Sequence, residues 1–214
     1  MQYAKRGRLR FTSHRDFSRA FERAIFRARV PMAYSSGFNP HPRISYAGAA
    51  PTGAASEAEY VEIMLREVVD PVATMRLLDE ALPAGLDLVD VVVSEGGSLA
   101  DRLQASSWRI DIDAPADQIA ESVDRFRAAT EVMVERMTKR GLRTFDARAA
   151  VVSLVAEDRG VALVLRHQEL AVRADDVING LKSFGLKPAT VPLLTRLSQG
   201  PFDEGAGTIG DPLR

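Results

Sequence analysis

The sequence predicts an α+β protein of two ferredoxin-like modules in tandem, each a β-α-β-β-α-β run folded into an antiparallel sheet. Three observations lead to this class. Alternating segments and segments of helical period follow one another in the same order twice, on either side of a Gly/Ser-rich stretch at Ser94–Ser98. The length of 214 residues suits two domains of about 100 each. With 46% hydrophobic and 27% charged residues, the composition is that of an ordinary globular chain. The expected boundaries are a basic module over 1–95 with a long loop at 32–56, a second module over 106–199, and a flexible tail over 200–214. That tail holds four glycines and two prolines in 15 residues.

The elements follow in order. Tyr3–Phe11 alternates, with Leu9 and Phe11 on one face and Arg8 and Arg10 on the other, and reads as a strand. Ser13 with Asp16 three residues on is a capping signal that opens a helix. Phe17, Ala20, Phe21, Ala24, Ile25 and Ala28 form its apolar face, and Pro31 stops it. Residues 32–56 are irregular apart from a short apolar piece at Ile44–Ala47. Glu57–Leu65 is a strand, Pro71–Ala81 a helix with Pro71 in its first turn, and Leu86–Val93 a strand. After the linker, Trp108, Ile110 and Ile112 alternate as a strand, and Asp117–Thr130 is helical. Strands follow at Val132–Met137, Phe145–Val155 and Val161–Arg166. Arg173–Phe184 is a helix closed by Gly185, and Ala189–Leu197 a last strand that Pro192 places at an edge.

Charge is unevenly distributed. The first 48 residues carry ten Lys/Arg against two acids, while the whole chain has a net charge of −1. Concentrated positive charge at one end predicts an anionic partner for that end. Several classes are excluded. There is no cysteine, hence no disulfide, thiol nucleophile, Cys-type zinc site or Cys-held iron–sulfur cluster. The three histidines, His14, His41 and His167, show no metal-ligand spacing, so no metal and no cofactor is expected. No apolar run of about 18 residues exists, which predicts no membrane span. The stretch Met1–Arg8 lacks the apolar core of a signal peptide, and a cytoplasmic location is expected.

Within the basic end, Arg15, Arg19, Arg23 and Arg27 recur every four residues on one side of the helix. Such like-charge neighbours repel by a few tenths of a kcal/mol per pair. A row of this kind reads as a ridge that tracks phosphates, each guanidinium offering a bidentate fork. Phe26 lies angularly among these arginines, either stacking on an unpaired base or covered by the second module. His14, in the first helical turn, is placed to stay neutral and accept a proton from a ribose hydroxyl, with Arg8 or Arg10 stabilising phosphate charge. The alternative is that it packs locally. The loop Gly37–Gly53 carries Asn39, His41, Arg43, Ser45 and Tyr46, with Pro40 and Pro42 stiffening the backbone around His41. Loops this long are usually functional when ordered. The RNA- or anion-binding set is therefore Arg8, Arg10, Arg15, Arg19, Arg23, Arg27, Asn39, His41 and Arg43, and His14 and His41 are the catalytic candidates if a bond is broken at all. Asp146 and Arg148 read as a surface ion pair on one strand face.

Lys5-Arg6-Gly7-Arg8-Leu9-Arg10-Phe11-Thr12-Ser13-His14-Arg15-Asp16, followed by Pro31-Met32-Ala33-Tyr34-Ser35-Ser36-Gly37-Phe38-Asn39-Pro40-His41-Pro42-Arg43-Ile44-Ser45, resembles the bacterial radical SAM-linked domain of unknown function. The likeness is specific over residues 3–65 and looser beyond, where Thr144–Arg148 matches that family's Asp-x-Arg strand start. Without cysteine the chain carries no radical SAM chemistry itself, so the resemblance implies a partner of that kind and not an activity. In architecture alone the chain is similar to CRISPR repeat-processing endoribonucleases, which pair two ferredoxin-like modules, and no catalytic position transfers on that basis. The expected function is a non-catalytic or accessory RNA-binding protein working beside a radical SAM or RNA-modifying or processing partner. Two alternatives stay open: a metal-independent endoribonuclease using His14 and His41 as acid and base, and a protein-interaction adaptor with a basic docking face.

Overall fold

The computed structural model describes residues 1–138 and 141–214, an α+β chain whose sheets are predominantly antiparallel. It divides into two compact units, one of residues 1–103 together with 211–214 and one of 104–210.

The first unit opens with β1 (Gln2–Lys5), then α1 (His14–Arg27), β2 (Ile44–Ala47), β3 (Ala55–Ile63), α2 (Pro71–Ala81), β4 (Leu86–Asp90) and the single turn α3 (Leu99–Arg102). Its strands lie in the order β4-β1-β3-β2, every neighbour antiparallel. Both long helices start where local chemistry demands. The Ser13 hydroxyl accepts the Asp16 amide at 3.2 Å and donates to the Asp16 carboxylate at 2.6 Å. Asp70 accepts the Val72 amide at 2.9 Å, with Pro71 in the first turn. The sheet and the two helices enclose Tyr3, Phe17, Phe21, Ile25, Met32, Val61, Leu78 and Leu86. Tyr3 and Phe17 stack with ring centroids 4.2 Å apart.

The expected strand over Tyr3–Phe11 is corrected. It stops at Lys5, and Gly7–Phe11 forms a 3-10 turn. The cause lies at Arg6 and Gly7. Arg6 Nε donates to Glu57 at 2.9 Å and its Nη1 to Asp87 at 2.9 Å, and Gly7 takes a φ of +54°, leaving the extended region. Arg8 and Arg10 therefore belong to a turn and not to a strand face.

The loop at 32–56 is more regular than its composition suggests. Residues 32–43 double back as a small hairpin. The Ser35 amide donates to the His41 carbonyl at 2.9 Å, the Arg43 amide to Ala33 at 2.9 Å, and the Met64 amide to Arg43 at 3.0 Å. Residues 48–53 are clamped from beneath. Buried Lys5 donates to the carbonyls of Ala50 and Pro51, both at 3.4 Å, and buried Glu59 accepts the Ala50 amide at 3.1 Å.

The second unit comprises β5 (Ala105–Asp111), α4 (Ala116–Ala128), β6 (Met133–Thr138), β7 (Gly141–Asp146), β8 (Val151–Glu157), β9 (Gly160–Arg166), α5 (Ala174–Ser183), β10 (Leu193–Gly200) and a small hairpin of β11 (Phe202–Asp203) and β12 (Thr208–Ile209). The main sheet runs β10-β5-β9-β8, and β6 with β7 forms a separate hairpin. The single strand expected over Phe145–Val155 is two, split by a 3-10 turn at Arg148–Ala150. Asp146 explains the break: its carboxylate accepts the amides of Val132 and Arg148, both at 2.8 Å. The expected ion pair with Arg148 is thus replaced by main-chain capping, and Arg148 donates instead to the Val151 carbonyl at 3.2 Å. Arg136 holds the hairpin to α5 through the buried Asp176 carboxylate at 2.5 Å. Pro192 stands just before β10 rather than inside it. Residues 211–214, expected as part of a mobile tail, return to the first unit. There Leu213 packs against the cluster of Ala47, Ala58, Tyr60, Leu99 and Leu103, and Arg214 pairs with Asp90 at 2.9 Å.

Candidate functional site

The exposed face of α1 carries the row the spacing predicts. Arg15, Arg19, Arg23 and Arg27 are all exposed, and among the described residues no carboxylate lies within ion-pair distance of any of them. Phe26, at an azimuth within this row, is exposed as well. The opposite face buries Phe17, Phe21, Ala24 and Ile25, so the row is held rigidly by the core beneath it.

His14 stands in the first turn of α1, on the side of the helix that carries Phe21 and Ile25. Its imidazole meets the ring of Tyr46 edge-on, with centroids 4.8 Å apart, and Tyr46 also packs edge-on against Phe17 at 5.8 Å. The Tyr46 hydroxyl is buried and takes no hydrogen bond of ordinary geometry. Burial pushes the phenol above its ordinary range; the neighbouring Ser18 hydroxyl offsets part of this, and the Glu22 charge adds to it. Ser18 itself donates to the His14 carbonyl at 2.9 Å.

A cavity of about 710 Å³ opens at one end of the first unit's sheet. The start of β2, the end of β3, the segment after β4 and the first turn of α2 form its walls. Ile44, Ile63, Leu65, Val69 and Val91 make it largely apolar, and Ser35, His41, Arg43, Glu62 and Glu67 supply polar groups of both signs. An apolar chamber with a few convergent polar groups is the ordinary form of a ligand site.

Of the residues singled out in the sequence, the structure gathers His41 and Arg43 in this cavity wall. Asn39 is exposed near the tip of the 32–43 hairpin, whose fold is tied by the His41 amide donating to Ser35 Oγ at 3.0 Å. His14 and the arginine row are not among the lining residues. Arg10 lies over its own neighbour Phe11, 4.6 Å from the ring centroid. Glu62, Val68 and Val91–Ser94 were missed, because a cavity between strand ends leaves no periodic trace. Their one signal is the apolar run Val91-Val92-Val93, which the sequence reads as the end of a strand and the structure places after β4. Among the described residues no group of three His, Asp or Glu is placed to hold a metal ion. Among the same residues no helix is long and apolar enough to cross a membrane.

Fold and site together define an α+β protein whose first unit carries an exposed basic helix and a largely apolar cavity. The chain belongs to DUF2344, a family described as uncharacterized proteins conserved in bacteria, whose model matches residues 1–176. No curated protein matches the chain.

Proposed function

We propose that the first unit binds RNA through the exposed face of α1, as an accessory, non-catalytic protein of the cytoplasm. In this reading each unit is a ferredoxin-like module, the second carrying β6–β7 as an inserted hairpin. The observation that carries it is the row of four arginines, exposed and without acidic partners on a helix whose other face is core. Charges that repel each other and pair with no carboxylate among the described residues are compensated by an external anion. The residues that resemble the radical SAM-linked domain favour a radical SAM or RNA-modifying or processing protein as the neighbour that uses the bound RNA.

Titration of labelled RNA at several salt concentrations tests this. Affinity is expected to fall log-linearly with salt, and each Arg→Ala change at 15, 19, 23 or 27 to reduce the slope by about one. Absence of RNA binding at low salt overturns the reading and leaves a basic face for a protein adaptor. A second reading, an endoribonuclease, rests on the exposed imidazoles of His14 and His41. RNA cleavage that disappears in His14→Ala or His41→Ala with binding retained is its signature.

A further inference from the structure

Exposed aromatic side chains are segregated in this protein as sharply as its charge. The chain has one Trp, four Tyr and nine Phe. Those with large exposure are Phe11 at 59%, Phe26 at 83%, Tyr34 at 54% and Phe38 at 108%, all between residues 11 and 38. Every later aromatic is buried or half-buried. The same stretch of chain holds the basic surplus and the unpaired arginine row.

Phe38 is the sharpest case. It stands at the turn of the 32–43 hairpin, in the run Ser35-Ser36-Gly37-Phe38-Asn39-Pro40, where Gly37 takes a φ of +125°. Gly, Ser, Asn and Pro are turn formers and serve the bend, whereas a Phe does nothing for it. The hairpin beneath is fixed by main-chain bonds from Ser35 to His41 and from Arg43 to Ala33. A rigid arm therefore carries a fully exposed ring. Phe26 is presented just as firmly, on a helix with a buried opposite face, at an azimuth between Arg15 and Arg19 given about 100° per residue.

The arginine row recurs every ~6 Å and spans about 18 Å, a line of charge along the helix. A line of positive charge together with open aromatic rings is the combination by which proteins hold unpaired nucleotides, phosphates on the cations and bases on the rings. Duplex RNA offers no free base faces and is read by shape and backbone. We infer that the ligand of the first unit is an unpaired RNA segment, its phosphates along the α1 arginines and its bases stacked on Phe26 of α1 and on Phe38 of the 32–43 hairpin. This rests on the RNA-binding reading above and narrows it to single-stranded regions.

The test compares a labelled oligouridylate with a blunt RNA duplex of equal length on the full chain. The single strand is expected to bind about tenfold or more tightly. Phe26→Ala and Phe38→Ala are each expected to weaken it by roughly fivefold or more, as loss of one stacked base does, with the salt slope unchanged and duplex binding unaffected. Phe38→Leu separates stacking from bulk, since it keeps an apolar side chain and is expected to lose nearly as much. Phe38→Trp gives a direct reading, with indole emission changing on addition of oligouridylate. Equal binding of both RNAs with silent Phe variants, while the Arg variants still flatten the salt dependence, overturns the stacking inference and leaves RNA binding standing. No binding of either RNA removes both.

Discussion

The hydroxyl of Tyr46 ends inside the first unit without a hydrogen bond of ordinary geometry, while its ring is packed against Phe17 and His14. A buried hydroxyl without a partner costs the desolvation of that group and returns nothing. Tyr46→Phe is therefore expected to leave stability at neutral pH unchanged or raise it by about 1 kcal/mol. Its effect on pH dependence has a definite sign. Burial raises the folded-state phenol above the unfolded value of 10.0, so the folded form retains a proton that the unfolded form loses. Stability is full below about pH 10 and falls as pH rises from there through the raised folded value. Denaturant unfolding across alkaline pH should show this decline in the parent chain and a flatter curve in the Phe variant. At this scale the sequence is readable for charge and poor for burial. The arginine row follows from a spacing of four, whereas the fate of the Tyr46 hydroxyl depends on Ser18 and Glu22, which reach it only through folding.

Among elements, α1 and α2 are legible because their start signals are local. Ser13 with Asp16, and Asp70 with Pro71, lie within one turn of the amides they serve. β1 and β7 are not legible in the same way. Arg8-Leu9-Arg10-Phe11 alternates as a strand does, yet the chain turns there because Arg6 is drawn to Glu57 and Asp87, which lie 51 and 81 residues away. Asp146 ends β7 by capping an amide 14 residues earlier, a bond no window of periodicity contains. The β8–β9 turn shows how tightly such elements are then held. Gly160 pairs with Asp111 on β5, and a Cβ there would stand 1.9 Å from the Ile110 carbonyl oxygen. Backbone cannot yield as a flexible side chain does, so Gly160→Ala is expected to cost about 3 kcal/mol, at the upper end of ordinary single substitutions. Thermal or urea unfolding measures it, and a near-neutral result would mean that β5 and β9 pair less closely.

For the molecule as a whole, average charge and local charge point in opposite directions. The sequence isoelectric point is about 6.3 and the net charge is −1, values that by themselves predict indifference to polyanions. The basic face of the first unit predicts retention on a heparin column at low salt, with elution as salt screens the contact. A variant with Arg15, Arg19, Arg23 and Arg27 all changed to Ala is expected to pass through unretained. This segregation is legible in the order of residues alone, as is the α+β class. The apolar cavity is not, because its walls come from four separated segments that share no pattern along the chain.

The return of residues 211–214 to the first unit has a consequence for how the protein is made. Leu213 and Arg214 complete the packing around Leu99 and Leu103 and the contact with Asp90, so the first unit is built from two pieces of chain, with the second unit contained in the interval between them. During synthesis at the ribosome, the interrupted unit begins to emerge before the other but receives residues 211–214 only after the other is made. The uninterrupted one has all its residues once Gly210 is made. The basic unit, the earlier of the two to appear, is thus the later to be finished.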